Sequence, residues 1–80
     1  MTKDSIETAY SFLHQKLNIY THSRLIWQKE DIEYAVASYV DSMSQELYDN
    51  ISDKTADFLK DHQRFLEDII QAVERLEAML

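Results

Sequence analysis

Three observations predict an all-α fold. Apolar residues recur three and four apart along most of the chain, turn-forming residues cluster near positions 18–23 and 49–53, and the 80 residues include neither glycine nor proline. Tight sheet turns and phosphate-cradling loops depend on glycine where the backbone needs positive φ, so strands and dinucleotide folds are disfavoured. The expected architecture is a three-helix antiparallel bundle over about residues 5–20, 29–49 and 53–79, within one domain spanning residues 1–80.

The first helix opens at Asp4, placed to cap it, with Glu7 three residues on to complete a capping box. Ile6, Tyr10, Leu13, Leu17 and Tyr20 then alternate at spacings of four and three. Asn18, Thr21, His22 and Ser23 are weak helix formers that bond their own backbone, and they end it.

A run of adjacent apolar residues, Leu25, Ile26 and Trp27, breaks the spacing before the second helix. With Gln28 as cap residue, Trp27 and Ile32 stand where a hydrophobic staple would place them. The trio is therefore expected to plug one end of the bundle, where the sole tryptophan adds a large apolar area. Ile32, Val36, Tyr39, Val40, Met43 and Leu47 form the inner face of this helix, and Glu30 and Asp31 favour its positive end.

The third helix has the strongest pattern: Leu59, His62, Leu66, Ile69, Val73, Leu76 and Leu80, flanked by Phe58, Phe65, Ile70, Ala72 and Met79. Ser52 or Asp53 could cap it. An alternative remains open, because Val36, Val40, Met43, Leu47, Ile51, Thr55, Phe58 and His62 keep the same spacing. One continuous helix from 29 to 80 would force dimerisation.

Helix one would span roughly 24 Å and helix three roughly 40 Å at 1.5 Å per residue. The unmatched face of helix three, with Ile69, Ile70, Val73, Leu76, Met79 and Leu80, is thus expected to pair with a second copy or another protein.

Composition narrows the function classes. A chain this short buries only about 60% of its unfolded surface, and without cysteine it has neither disulfides nor cysteine-based zinc sites to add stability. No apolar run reaches the roughly 18 residues of a membrane span, and the N-terminal residues lack a signal peptide's apolar core, so no membrane contact and a cytoplasmic location are expected. The net charge is -7, and no basic residue lies between Lys29 and Lys54. Direct binding to nucleic-acid phosphate is disfavoured.

Catalytic and metal chemistry lacks its parts. His14, His22 and His62 have no carboxylate or second histidine three or four residues before them, the spacing that puts two ligands on one helical face. His62 is expected on the core seam. The serines have no glycine elbow to expose them, and paired acids such as Asp57 with Asp61, or Glu74 with Glu77, fall on the solvated side of helix three. No cofactor and no metal are expected.

The string Asp41, Ser42, Met43 resembles the Asp-Ser-Leu signature of acyl carrier proteins, which would imply phosphopantetheine on Ser42. The resemblance covers only those residues; the glycine-containing loop that precedes the motif in that family is replaced here by "IEYAVASY", which would put Ser42 in mid-helix. Tyr34, Asp41 and Tyr48 recur at sevens and form a tyrosine-acid stripe away from the apolar seam, a pattern suited to an interface.

The leading expectation is a non-enzymatic protein–protein interaction or regulatory module, homodimeric or bound to another protein, with Trp27 and the stripe as further contacts. One alternative is an acidic mimic of nucleic acid that blocks a basic groove. A carrier protein modified at Ser42 is the other.

Overall fold

Four α-helices and one 3-10 turn make up the chain in its computed structural model, which describes residues 1–80: α1 (Lys3–His22), α2 (Ile26–Ser42), α3 (Gln45–Ile51), a 3-10 turn at His62–Arg64, and α4 (Phe65–Met79). The fold is all-α as expected, but the helices number four.

Helix α1 is capped by Thr2 rather than Asp4. The Thr2 hydroxyl accepts the Ser5 backbone N–H at 3.1 Å, and the Thr2 N–H donates to Ser5 Oγ at 3.2 Å. A short hydroxyl pair closes this box without the longer Glu7 side chain. Ile6, Ala9, Leu13 and Tyr20 are the buried residues of α1.

Helix α2 starts at Ile26, two residues before the cap position expected at Gln28. Ser23 organises the turn: its hydroxyl accepts the Leu25 N–H at 3.3 Å and lies 2.6 Å from Gln28 Oε1, to which it donates. Trp27 is consequently inside the first turn of the helix, so the expected staple has no residue in the right place. The plug does not form either, since Leu25, Ile26 and Trp27 are 49%, 74% and 62% exposed.

The second helix ends at Ser42, well short of residue 49. Met43 is extended, and the Ser44 hydroxyl caps α3 by accepting the Leu47 N–H at 3.3 Å. Apolar spacing carries on across the break because Leu47 and Ile51 are buried by α3 in its own direction.

Residues 52–61, expected to begin the third helix, form an irregular loop. Lys54 and Leu59 adopt positive φ, 66° and 63°, where glycine would ordinarily stand. Side chains of the residues that follow hold the loop. Arg75 donates to the Ser52 carbonyl at 2.6 Å, Arg64 pairs with Asp53, and the buried Asp68 carboxylate accepts the Leu59 N–H at 3.0 Å. Phe58 and Leu59 enter the core from this loop.

Helix α1 lies antiparallel to both long neighbours. Tyr20 meets Phe65 with ring centroids 4.8 Å apart, while Tyr10 at the other end reaches Glu77 at 3.4 Å. Phe12 stacks on Tyr39 at 4.1 Å, and Tyr20 bonds Glu33. Helices α2 and α4 therefore run in the same general sense, with α3 and the 52–61 loop carrying the chain back between them.

This arrangement removes the surplus face expected of helix three. Helix α4 has 15 residues, about 22 Å, against 20 residues and about 30 Å for α1. Ile69, Val73 and Leu76 are buried within the chain itself, at 0%, 6% and 0% exposure. Met79 is half-buried, and only Ile70 and Leu80 stay substantially open. No helix is long and apolar enough to cross a membrane.

Candidate protein-docking surface

Helical spacing divides α2 into two opposed faces. Ile32, Val36 and Val40 point into the core, while Trp27, Asp31, Tyr34, Ser38 and Asp41 alternate at four and three on the other side, all exposed. Tyr34 is 77% exposed, and Glu30 flanks the same face.

The tyrosine-acid stripe expected from Tyr34, Asp41 and Tyr48 is thus only partly assembled. Tyr48 belongs to α3, forms a T-shaped pair with Phe58 at 6.2 Å between ring centroids, and donates its hydroxyl to the Thr55 carbonyl at 3.5 Å. Asp41 is paired with Lys60. Trp27, seven residues before Tyr34, supplies the second aromatic of the face instead. Counting back from Tyr34 at the same interval would have found it in the sequence, had Trp27 not been assigned to a loop.

Ile26 faces sideways into an open groove of about 570 Å³ that it shares with Tyr20, Lys29, His62, Gln63 and Leu66. Leu66, on α4, is 43% exposed. The floor of the groove is a short polar chain. Tyr20 donates to Glu33 Oε2 at 2.9 Å, His62 Nδ1 lies 2.8 Å from Glu33 Oε1, and the Lys29 ammonium sits 5.3 Å from the centre of the Tyr20 ring.

Electrostatics follow from that chain. Burial, reinforced by the Glu33 carboxylate, pushes the Tyr20 hydroxyl up to about 12. Hydrogen bonding to Glu33 and its charge raise the His62 ring above its ordinary value, with Glu30 and Asp61 adding to the effect. His62 is therefore an exposed ion-pair partner and not the core-seam residue expected from its spacing; its side chain is 72% exposed. The arrangement can hold a charge and a hydrogen-bonded orientation.

No protein-family model, curated protein or solved structure matches the chain.

No group of three or more His, Asp or Glu side chains is arranged to hold a metal ion. Ser42 is the last residue of α2 and not mid-helix, and its hydroxyl donates to the Tyr39 carbonyl at 2.9 Å. It borders a second groove, about 400 Å³, with Asp4, Ser5, Thr8 and Ser44. Ile69, Val73 and Leu76 lie away from both grooves in the core.

Proposed function

We propose that the chain is a non-enzymatic protein-docking module whose contact surface is the outer face of α2 together with the groove beside Ile26. The observation that carries this reading is the exposure of three large apolar side chains, Ile26, Trp27 and Tyr34, on one helix of a chain of only 80 residues. Tryptophan and tyrosine dominate the energetics of protein interfaces because a rigid ring covers much area at little entropic cost. Exposed apolar patches rimmed by polar groups commonly mark such contacts.

The face of α4 is not part of this reading, since Ile69, Val73 and Leu76 are already buried in the chain's own core. Ile70 and Leu80 stay exposed and Met79 half-buried on α4, outside this surface. Mimicry of nucleic acid fits the same face less well, because Trp27 and Tyr34 interrupt its carboxylates and Asp41 is neutralised by Lys60.

Native mass spectrometry of the protein isolated gently from its own host tests the proposal. Expected is a complex, with a second copy or with another protein, that is lost in Ile26→Asp and Trp27→Asp and retained in Ile70→Asp. A lone chain of 9.5 kDa in every preparation would overturn it.

A further inference from the structure

We infer that the outer face of α2 docks a basic amphipathic segment of another protein, one that offers lysine or arginine to Glu30 and Asp31 and apolar side chains to Trp27 and Tyr34. This inference rests on the docking role proposed above and adds the chemistry of the partner.

Negative charge is left unpaired on this face. Five of the chain's eight lysines and arginines are engaged, Lys60 with Asp41, Arg64 with Asp53 and Asp68, Arg75 with the Ser52 carbonyl, Lys29 over the Tyr20 ring and Lys16 over the Phe12 ring, and none of the eight pairs with Glu30 or Asp31. Glu30 and Asp31 have no ion-pair partner within the chain, and both are exposed on the aromatic face. From Trp27 to Ser38, about 16 Å of helix, that face carries no basic residue, and Lys60 reaches it only at Asp41.

The spacing makes the two attractions cooperate. Asp31 lies one turn after Trp27 and one turn before Tyr34, so a cation seated over either ring is also within a turn of a carboxylate. Arginine and lysine gain from the ring face as well as from the charge, by about 0.5–1 kcal/mol at exposed sites. A second copy of this chain, at net charge -7, would bring like charge against this face. Nucleic acid and anionic lipid are repelled for the same reason.

Trp27 is the only tryptophan, so its emission reports docking directly. The probes are a tryptophan-free amphipathic leucine–lysine peptide as long as α2, the same pattern with glutamate for lysine, and neutral phosphatidylcholine vesicles. Expected is a saturable blue shift with the leucine–lysine peptide, with binding at least about tenfold weaker for the leucine–glutamate peptide. Glu30→Lys combined with Asp31→Lys should reverse that preference. Glu74→Lys combined with Glu77→Lys on α4 changes the net charge equally and should alter affinity by no more than about twofold, since those charges lie off the face. Circular dichroism checks that both variants stay helical.

Equal shifts with both peptides, an equal loss in the α4 variant, or a shift with the vesicles alone would overturn the inference. If neither peptide is preferred while Trp27→Asp still abolishes the native complex, the docking surface stands and the basic partner falls. If that complex is also absent, the docking role itself falls.

Discussion

Tyr20 donates its hydroxyl to Glu33 across 2.9 Å, joining the last turns of α1 to α2, and the same carboxylate meets the His62 ring from the start of the α4 segment. One acid therefore ties together three parts of the chain that are separated in sequence.

That tie makes stability depend on pH near neutrality. The folded protein raises the His62 ring above its ordinary 6.5, so the ion pair contributes fully below about that pH and its contribution is lost as pH rises through the raised value. Thermal midpoints should decline across that window, and His62→Asn should flatten the decline. A titration of the His62 ring by NMR checks the cause directly: in Glu33→Gln the ring should return toward its ordinary value.

Core and surface apolar residues should separate cleanly on mutation. Ile69→Ala empties a fully buried position and should cost about 2–5 kcal/mol, a large part of the stability of a domain this small. Trp27→Ala removes a bigger side chain yet should cost less than about 1 kcal/mol, because the ring is mostly in solvent and alanine is the better helix former. Urea unfolding followed by circular dichroism distinguishes them.

The two left-handed residues should respond in opposite directions to glycine. Lys54 is exposed, so Lys54→Gly relieves the positive φ and should stabilise by about 0.5–1 kcal/mol. Leu59 is fully buried, and Leu59→Gly sacrifices packing worth about 2–5 kcal/mol for the same relief, leaving a net loss. Chemical denaturation of both variants reads the sign.

At low pH the 52–61 loop should be the first part to loosen. Asp53 accepts both the Thr55 hydroxyl and its backbone N–H and pairs with Arg64, which lowers its carboxyl to about 2. A depressed carboxylate stabilises above its ordinary 3.8 and ceases to do so as pH falls toward 2. Asp53→Asn should flatten the acid limb of the stability profile in that window while lowering stability at neutral pH. Hydrogen exchange at Thr55 N–H locates the effect.

Helix α1 and the 65–79 stretch of the expected third helix were legible because their apolar residues recur at three and four, as in Ile6, Tyr10, Leu13, Leu17 and Tyr20, and a repeat of that kind has one low-energy reading. The break at Met43 was hidden, since Val40, Met43, Leu47 and Ile51 keep the interval across it; only the Ser44 cap betrays it, and a serine in an amphipathic run is a weak signal. The loop was hidden for a different reason. Phe58, Leu59 and His62 fit the helical spacing of the residues after them, yet Lys54 and Leu59 adopt positive φ without glycine, in a loop held by Asp68, Arg64 and Arg75. The candidate surface was half visible: Leu25, Ile26 and Trp27 stood out as an anomaly, but adjacency on the chain does not say which way a ring will face.

The pairing of α1 with α4 has a kinetic consequence. The principal partner of the first helix is the last helix, across the whole connection from Ser23 to Arg64, so α1 and α2 alone form a hairpin with much of the Leu13 and Tyr20 face uncovered. Closing a long loop costs entropy before its contacts return any. The chain should therefore fold in one late, concerted step, and its half-synthesised form should be the stage most in need of a chaperone.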